Sequence, residues 1–89
     1  MIRERTWTVS LFLTEGDGVT RAEAVLHSGA NRELRGVGRA RRDPEDYEIP
    51  EIGDEVAASR ALADLAGGLR RTAAADIEDV TGVHARVHP

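Results

Sequence analysis

Apolar and polar residues alternate from Thr6 to Leu13, and a three-to-four-residue rhythm takes over near Val56. The alternation predicts β-structure and the later rhythm predicts helix. In the first strand, Trp7, Val9, Leu11 and Leu13 share one face; Thr6, Thr8, Ser10 and Phe12 share the other. Glu15-Gly16-Asp17-Gly18 reads as a turn, with two glycines to accept positive φ. Thr20 to His27 forms a second strand, with Ala22, Ala24 and Leu26 opposed to Arg21, Glu23, Val25 and His27. After a turn at Ser28-Gly29-Ala30-Asn31, Glu33 to Arg41 forms a third. It opposes Leu34, Gly36, Gly38 and Ala40 to Glu33, Arg35, Val37, Arg39 and Arg41. Short turns imply an antiparallel meander with the second strand in the middle.

Small residues dominate one face of the second and third strands: Ala22, Ala24, Gly36, Gly38 and Ala40. Glycine inside a strand often marks the close approach of another backbone. This strip is read as a shallow trough that seats a helix, with the first strand supplying bulk along one wall. The segment Arg42 to Pro50 is the crossover, held extended by Pro44 and Pro50. A helix is expected to begin between Glu51 and Asp54, with Asp54 as its cap and Gly82 as its stop. Val56, Leu62, Leu65, Leu69, Ala73, Ile77 and Val80 form its apolar stripe. About 28 helical residues would run roughly 42 Å, against about 27 Å for an eight-residue strand. Either Gly67-Gly68 bends or breaks the helix into two, the reading favoured here, or its far end overhangs the sheet. Val83 to Pro89 either frays or adds a short strand.

The fold class expected is therefore α+β: a three-stranded antiparallel meander, then one long or two consecutive helices packed on one face. Residues 1–89 make a single domain, with the meander at 6–41, the crossover at 42–50, helix at 51–82 and a tail at 83–89.

Composition changes the picture in two ways. Hydrophobic residues are 40% of the chain, but thirteen of them are Ala and only Trp7, Phe12 and Tyr47 are aromatic. Such a core is thin, and self-association as a homo-oligomer, a dimer in the simplest case, is an economical remedy. Charge also divides the chain at Arg42/Asp43: eight Arg against five acids before it, four Arg against eleven acids after it. All twelve basic residues are Arg, and there is no Cys. Disulfides, thiolate metal sites and thiol nucleophiles are thus excluded. No apolar run approaches the ~18 residues of a membrane span. Met1-Ile2-Arg3-Glu4-Arg5 is not of signal-peptide type, so a cytoplasmic setting without membrane contact is expected.

Candidate chemistry is sparse. Phe12, Val25 and Val37 come one from each strand on the outward sheet face, among Arg21, Arg35, Arg39 and Arg41. This face reads as a contact surface for a second copy, another protein or an anionic partner, or as an ordinary solvated face. Nucleic-acid binding through Arg21, Arg35, Arg39, Arg41 and Arg42 is the alternative. It is disfavoured, because seven acids follow immediately between Asp43 and Glu55 and answer those charges internally. The same acids lack the spacing of a calcium loop. His27, His84 and His88 are scattered and join no catalytic constellation. Neither an enzyme nor a cofactor is indicated.

Several segments nevertheless carry a resemblance. They are Thr6-Trp7-Thr8-Val9, Thr20-Arg21-Ala22-Glu23-Ala24, Gly36-Val37-Gly38-Arg39-Ala40-Arg41-Arg42, Pro50-Glu51-Ile52-Gly53-Asp54-Glu55, Ala61-Leu62-Ala63-Asp64-Leu65-Ala66 and Asp76-Ile77-Glu78. In this order, over about residues 5 to 82, the chain resembles a group of small actinobacterial proteins classed as a domain of unknown function. The resemblance implies a fold similar to the double-stranded-RNA-binding domain and no catalytic residues. It does not carry RNA binding with it, since Glu51, Asp54 and Glu55 at the helix start would repel a phosphate backbone.

Overall fold

A computed structural model describes residues 1–29, 33–42 and 49–89. The element order is β1 (Thr8–Gly16), β2 (Val19–His27), β3 (Leu34–Arg41) and α1 (Pro50–Thr81). The three strands form one antiparallel sheet with β2 in the middle. The β1–β2 hairpin turns on two residues, Asp17 at φ 53° and Gly18 at φ 74°. Two successive positive φ values suit the right-handed twist of the flanking strands, and Asp-Gly is the pair that tolerates them. Gly16, expected in the turn, ends β1 instead.

The trough exists where the sequence placed it. Ala22, Ala24, Ala57 and Ala61 are wholly buried, joined by Leu26 and Leu65. A Cβ on Gly36 would run into the Ala61 carbonyl and the Leu65 amide. One on Gly38 would meet the Ala57 carbonyl, the Ala61 amide and, at 2.7 Å, Arg60 Cβ. Helix backbone therefore lies directly on strand backbone, a separation only glycine allows.

That closeness corrects the expected helix stripe. The residues on the floor are Ala57, Ala61 and Leu65, at steps of four. Where the backbones come closest, at Gly36 and Gly38, the helix offers two alanines, and Leu65 enters only at the end of the seat. Accordingly Leu62 and Ile77 stay over two-fifths exposed and Val80 is 86% exposed. Of the expected stripe, Leu65 is buried, and Leu69 packs partly against the core.

α1 is one helix of 32 residues, about 48 Å long. The helix is not broken at Gly67-Gly68, and both glycines lie inside it. Two glycines cost roughly 2 kcal/mol against Ala, but the turns around them are held. Leu65 and Leu69 pack on the sheet. On another side, the tail lies beside Gly67, Arg70, Arg71 and Ala74. The tail neither frays nor adds a strand: the Ala85 amide donates to Glu78 Oε1 at 3.0 Å, and Ala85 and Val87 are half-buried. Pro50, assigned to the crossover, opens α1, where its missing N–H costs nothing. Ile49 is the N-cap and makes no side-chain cap bond, so Asp54 is not the cap. Gly82 ends the helix as expected, in the left-handed conformation at φ 71°, its amide bonded to the Glu78 carbonyl at 2.7 Å. The expected shielding of arginines by Asp43, Glu45, Asp46 and Glu48 lies outside the described residues.

Candidate interaction surfaces

Register decides what the outward sheet face offers. Phe12, Glu23 and Val37 stand in one row across the three strands, and Ser10, Val25 and Arg35 in the next. Phe12 and Val37 are therefore two strand spacings apart, about 10 Å, with a carboxylate between them. Phe12 is 60% exposed, Val37 is half-buried, and Val25 at 2% has no surface to offer. The three apolar residues make no continuous patch.

Between them lies an ion-pair network. Glu23 accepts from Arg35 Nη1 and, at 3.1 Å, from Arg21 Nη1, while Arg35 Nη2 reaches Glu33 Oε2 at 2.8 Å. Hydrogen bonds from Arg35 and then Arg21 hold the Glu23 carboxyl below its ordinary range. Bonds to Glu33 and then Glu23 raise the Arg35 guanidinium. Two of the four face arginines are thus engaged within the sheet; Arg39 and Arg41 are exposed beyond the network. Along the same face, Ser10 Oγ lies 3.2 Å from His27 Nε2.

The larger apolar surface lies on the other side, beside the helix. A helix about 10 Å wide covers two strands and not three, and α1 lies over β2 and β3. The helix-side face of β1 is left open: Trp7, Val9, Leu11 and Leu13 are 55, 39, 39 and 41% exposed. Sequence patterning assigned these four to the wall of a core. The missing signal was volume, because a trough of Ala and Gly holds the helix too low and too far over to reach β1.

The helix contributes a second apolar strip. With 100° between residues, Ala57, Ala61 and Leu65 face the floor, and Arg60 and Asp64 turn to one side. That side is the outer edge of β3: the Val37 amide donates to Asp64 Oδ2 at 2.9 Å, and Arg60 Nη1 donates to the Arg39 carbonyl at 2.7 Å. The opposite side, toward β1, carries Leu62 and Leu69, while Ile77 and Val80 stand exposed on the turns beyond. Of the expected stripe, then, Leu65 joins the floor, Leu62 and Leu69 border the open β1 face, and Ile77 and Val80 reach neither.

Clefts also lie at both ends of the helix. One of about 470 Å³ lies between the β1–β2 turn, the end of β3 and the helix start, lined among others by Arg41, Arg60, Ile52 and Val56. Another of about 390 Å³ runs under the tail. Among the described residues no three His, Asp or Glu side chains gather as a metal site, and no helix is long and apolar enough to cross a membrane.

The chain has clear relatives. A family model described as Rv2632c-like matches residues 5–86. Uncharacterized protein Mb1767 of Mycobacterium bovis is 46% identical over 81 residues, 91% of this chain and 85% of that one. Uncharacterized protein Rv2632c of Mycobacterium tuberculosis is 45% identical over 85 residues, 90% of each. The crystal structure of Rv2632c matches with a TM-score of 0.82 at 44% identity, covering 90% of this chain and 94% of that one. The resemblance to small actinobacterial proteins is borne out by these mycobacterial matches. They do not extend to the double-stranded-RNA-binding domain.

Proposed function

The chain belongs to the Rv2632c-like family, and we propose that it is a non-enzymatic interaction module that works by associating with itself. One observation carries this reading: Trp7, just before β1, and Val9, Leu11 and Leu13 within it stand between 39 and 55% exposed beside a core built mainly of alanine. Contiguous apolar surface of this kind marks interaction sites far more often than solvated faces do. Leu62 and Leu69 on the adjoining helix flank enlarge it. Arg39, on the other sheet face, lies two strands from β1 and stands outside the proposed surface, whereas Phe12 is carried on β1 itself.

The nucleic-acid reading is weaker. Glu23 and Glu33 occupy Arg21 and Arg35, two of the five arginines that reading needs, and several phosphates require a longer run of cations than Arg39, Arg41 and Arg42 supply. Light scattering on the chain at tens of micromolar tests the proposal. A dimer or higher closed oligomer supports it, and a monomer defeats it. A gel-shift assay at low salt with duplex RNA and duplex DNA is expected to show no retention; retention lost in Arg39→Glu would favour the alternative.

A further inference from the structure

The two edges of the sheet are treated differently, and the hydrogen bonds at β3 reveal how. A residue in a strand sends its N–H and C=O to the same side. Because Val37 and Arg39 bond outward to Asp64 and Arg60, odd-numbered residues of β3 point away from β2. Their cross-strand partners Glu23 and Arg21 must then point toward β1, where they face Phe12 and Thr14. It follows that Ser10, Phe12 and Thr14 bond to β2. Val9, Leu11, Leu13 and Glu15 direct their N–H and C=O groups to the outer edge of β1.

Among the described residues, the edge of β3 is closed by helix side chains and that of β1 is open. From Thr8 to Gly16 the open edge contains no proline, no arginine and one charge, Glu15. An unblocked flat edge of this kind is a template for another strand. The residues that present the free backbone groups also carry the uncovered apolar side chains.

We infer that the partner on this surface is a second copy of the chain, joined antiparallel through β1 about a two-fold axis near Leu11. The inference rests on the self-association proposed above and names its geometry. A strand edge is complementary to itself in this orientation, as a two-fold interface requires. Centred on Leu11, the register sets Leu11 opposite the partner's Leu11 and Val9 opposite the partner's Leu13. Thr8, Ser10, Phe12 and Thr14 meet one another on the other face. Two copies of net charge −4 repel overall, and residues 6–14 are an uncharged strip on which that repulsion is least. The product is a six-stranded sheet with both helices on one face. Its two outer edges are both β3, each already closed by Arg60 and Asp64, so assembly stops at two copies.

The chain has no cysteine, which makes single-cysteine cross-linking unambiguous. Leu11→Cys should oxidise to a covalent dimer, because paired Cα atoms at this position would stand about 5.5 Å apart. Arg39→Cys, two strands away, should not. Leu11→Pro removes an N–H that points outward and leaves the β1–β2 ladder whole, so it should give a monomer with unchanged circular dichroism. Hydrogen exchange supplies a reading on the unaltered chain, in which the Val9, Leu11 and Leu13 amides should be protected. A wild-type dimer with fast exchange at those amides and no Leu11→Cys cross-link would overturn this geometry while self-association stood. A wild-type monomer would overturn both. Cross-linking with protection establishes the pairing, whatever the fate of the proline variant.

Discussion

Nine glycines occupy this chain, and their individual surroundings give opposite expectations for the same substitution. At Gly36 and Gly38 an added methyl would enter helix backbone that cannot yield. Gly36→Ala or Gly38→Ala should cost about 2 kcal/mol or more, through forced separation of α1 from the sheet. At Gly67 and Gly68 the nearest atoms to a new Cβ are arginine guanidinium nitrogens, at 3.4 and 3.8 Å, which can swing aside. Gly67→Ala and Gly68→Ala should each stabilise by about 0.5–1 kcal/mol, the ordinary helical preference for alanine. Urea midpoints for the four variants would check the sign at each site. The first pair was legible in the sequence as a trough, because glycine at alternate positions of a strand has few other uses. The second pair was misread as a hinge, because intrinsic propensity was weighed without the packing that holds the turns on either side.

Among the elements, β3 and β1 show how edges are handled. The helix lays Asp64 and Arg60 against β3 and leaves β1 unprotected. Asp64→Ala should free the Val37 amide. It should cost about 1 kcal/mol and open a second sticky edge, giving species larger than a dimer by sedimentation velocity. The strands, the Asp17-Gly18 turn and the Gly82 stop were readable because each depends on residues close in sequence; the turn expected at Ser28-Gly29-Ala30-Asn31 reaches outside the described residues. The seating face of α1 was not. Its pattern was sought among Leu, Ile and Val, whereas the residues that touch the floor include Ala57 and Ala61, whose small volume matters more than their hydrophobicity.

The molecule as a whole is extended. Its dimensions are 53 × 29 × 21 Å, and its radius of gyration is 16.7 Å, against about 12 Å for a compact domain of this length. A 48 Å helix over strands of about 30 Å accounts for the difference. So does the thinness of the buried core, whose members are mostly alanine. Stability in such a chain should come in part from association and should therefore depend on concentration. A tenfold rise in protein concentration is expected to raise the calorimetric midpoint by roughly 3–5 °C. A midpoint independent of concentration would count against a dimer at those concentrations.

The sequence alone determined the strand order, the inward placing of the Ala and Gly strip and the end of the helix. Alternation, an Asp-Gly pair and a terminal glycine act over a few neighbouring residues. Tertiary structure alone decided that α1 runs unbroken, that it sits on β2 and β3, and that Trp7, Val9, Leu11 and Leu13 stay half open. Those outcomes depend on how near two backbones can come. The limit is set jointly by Gly36, Gly38, Ala57 and Ala61, which are far apart in the chain and meet only when it folds.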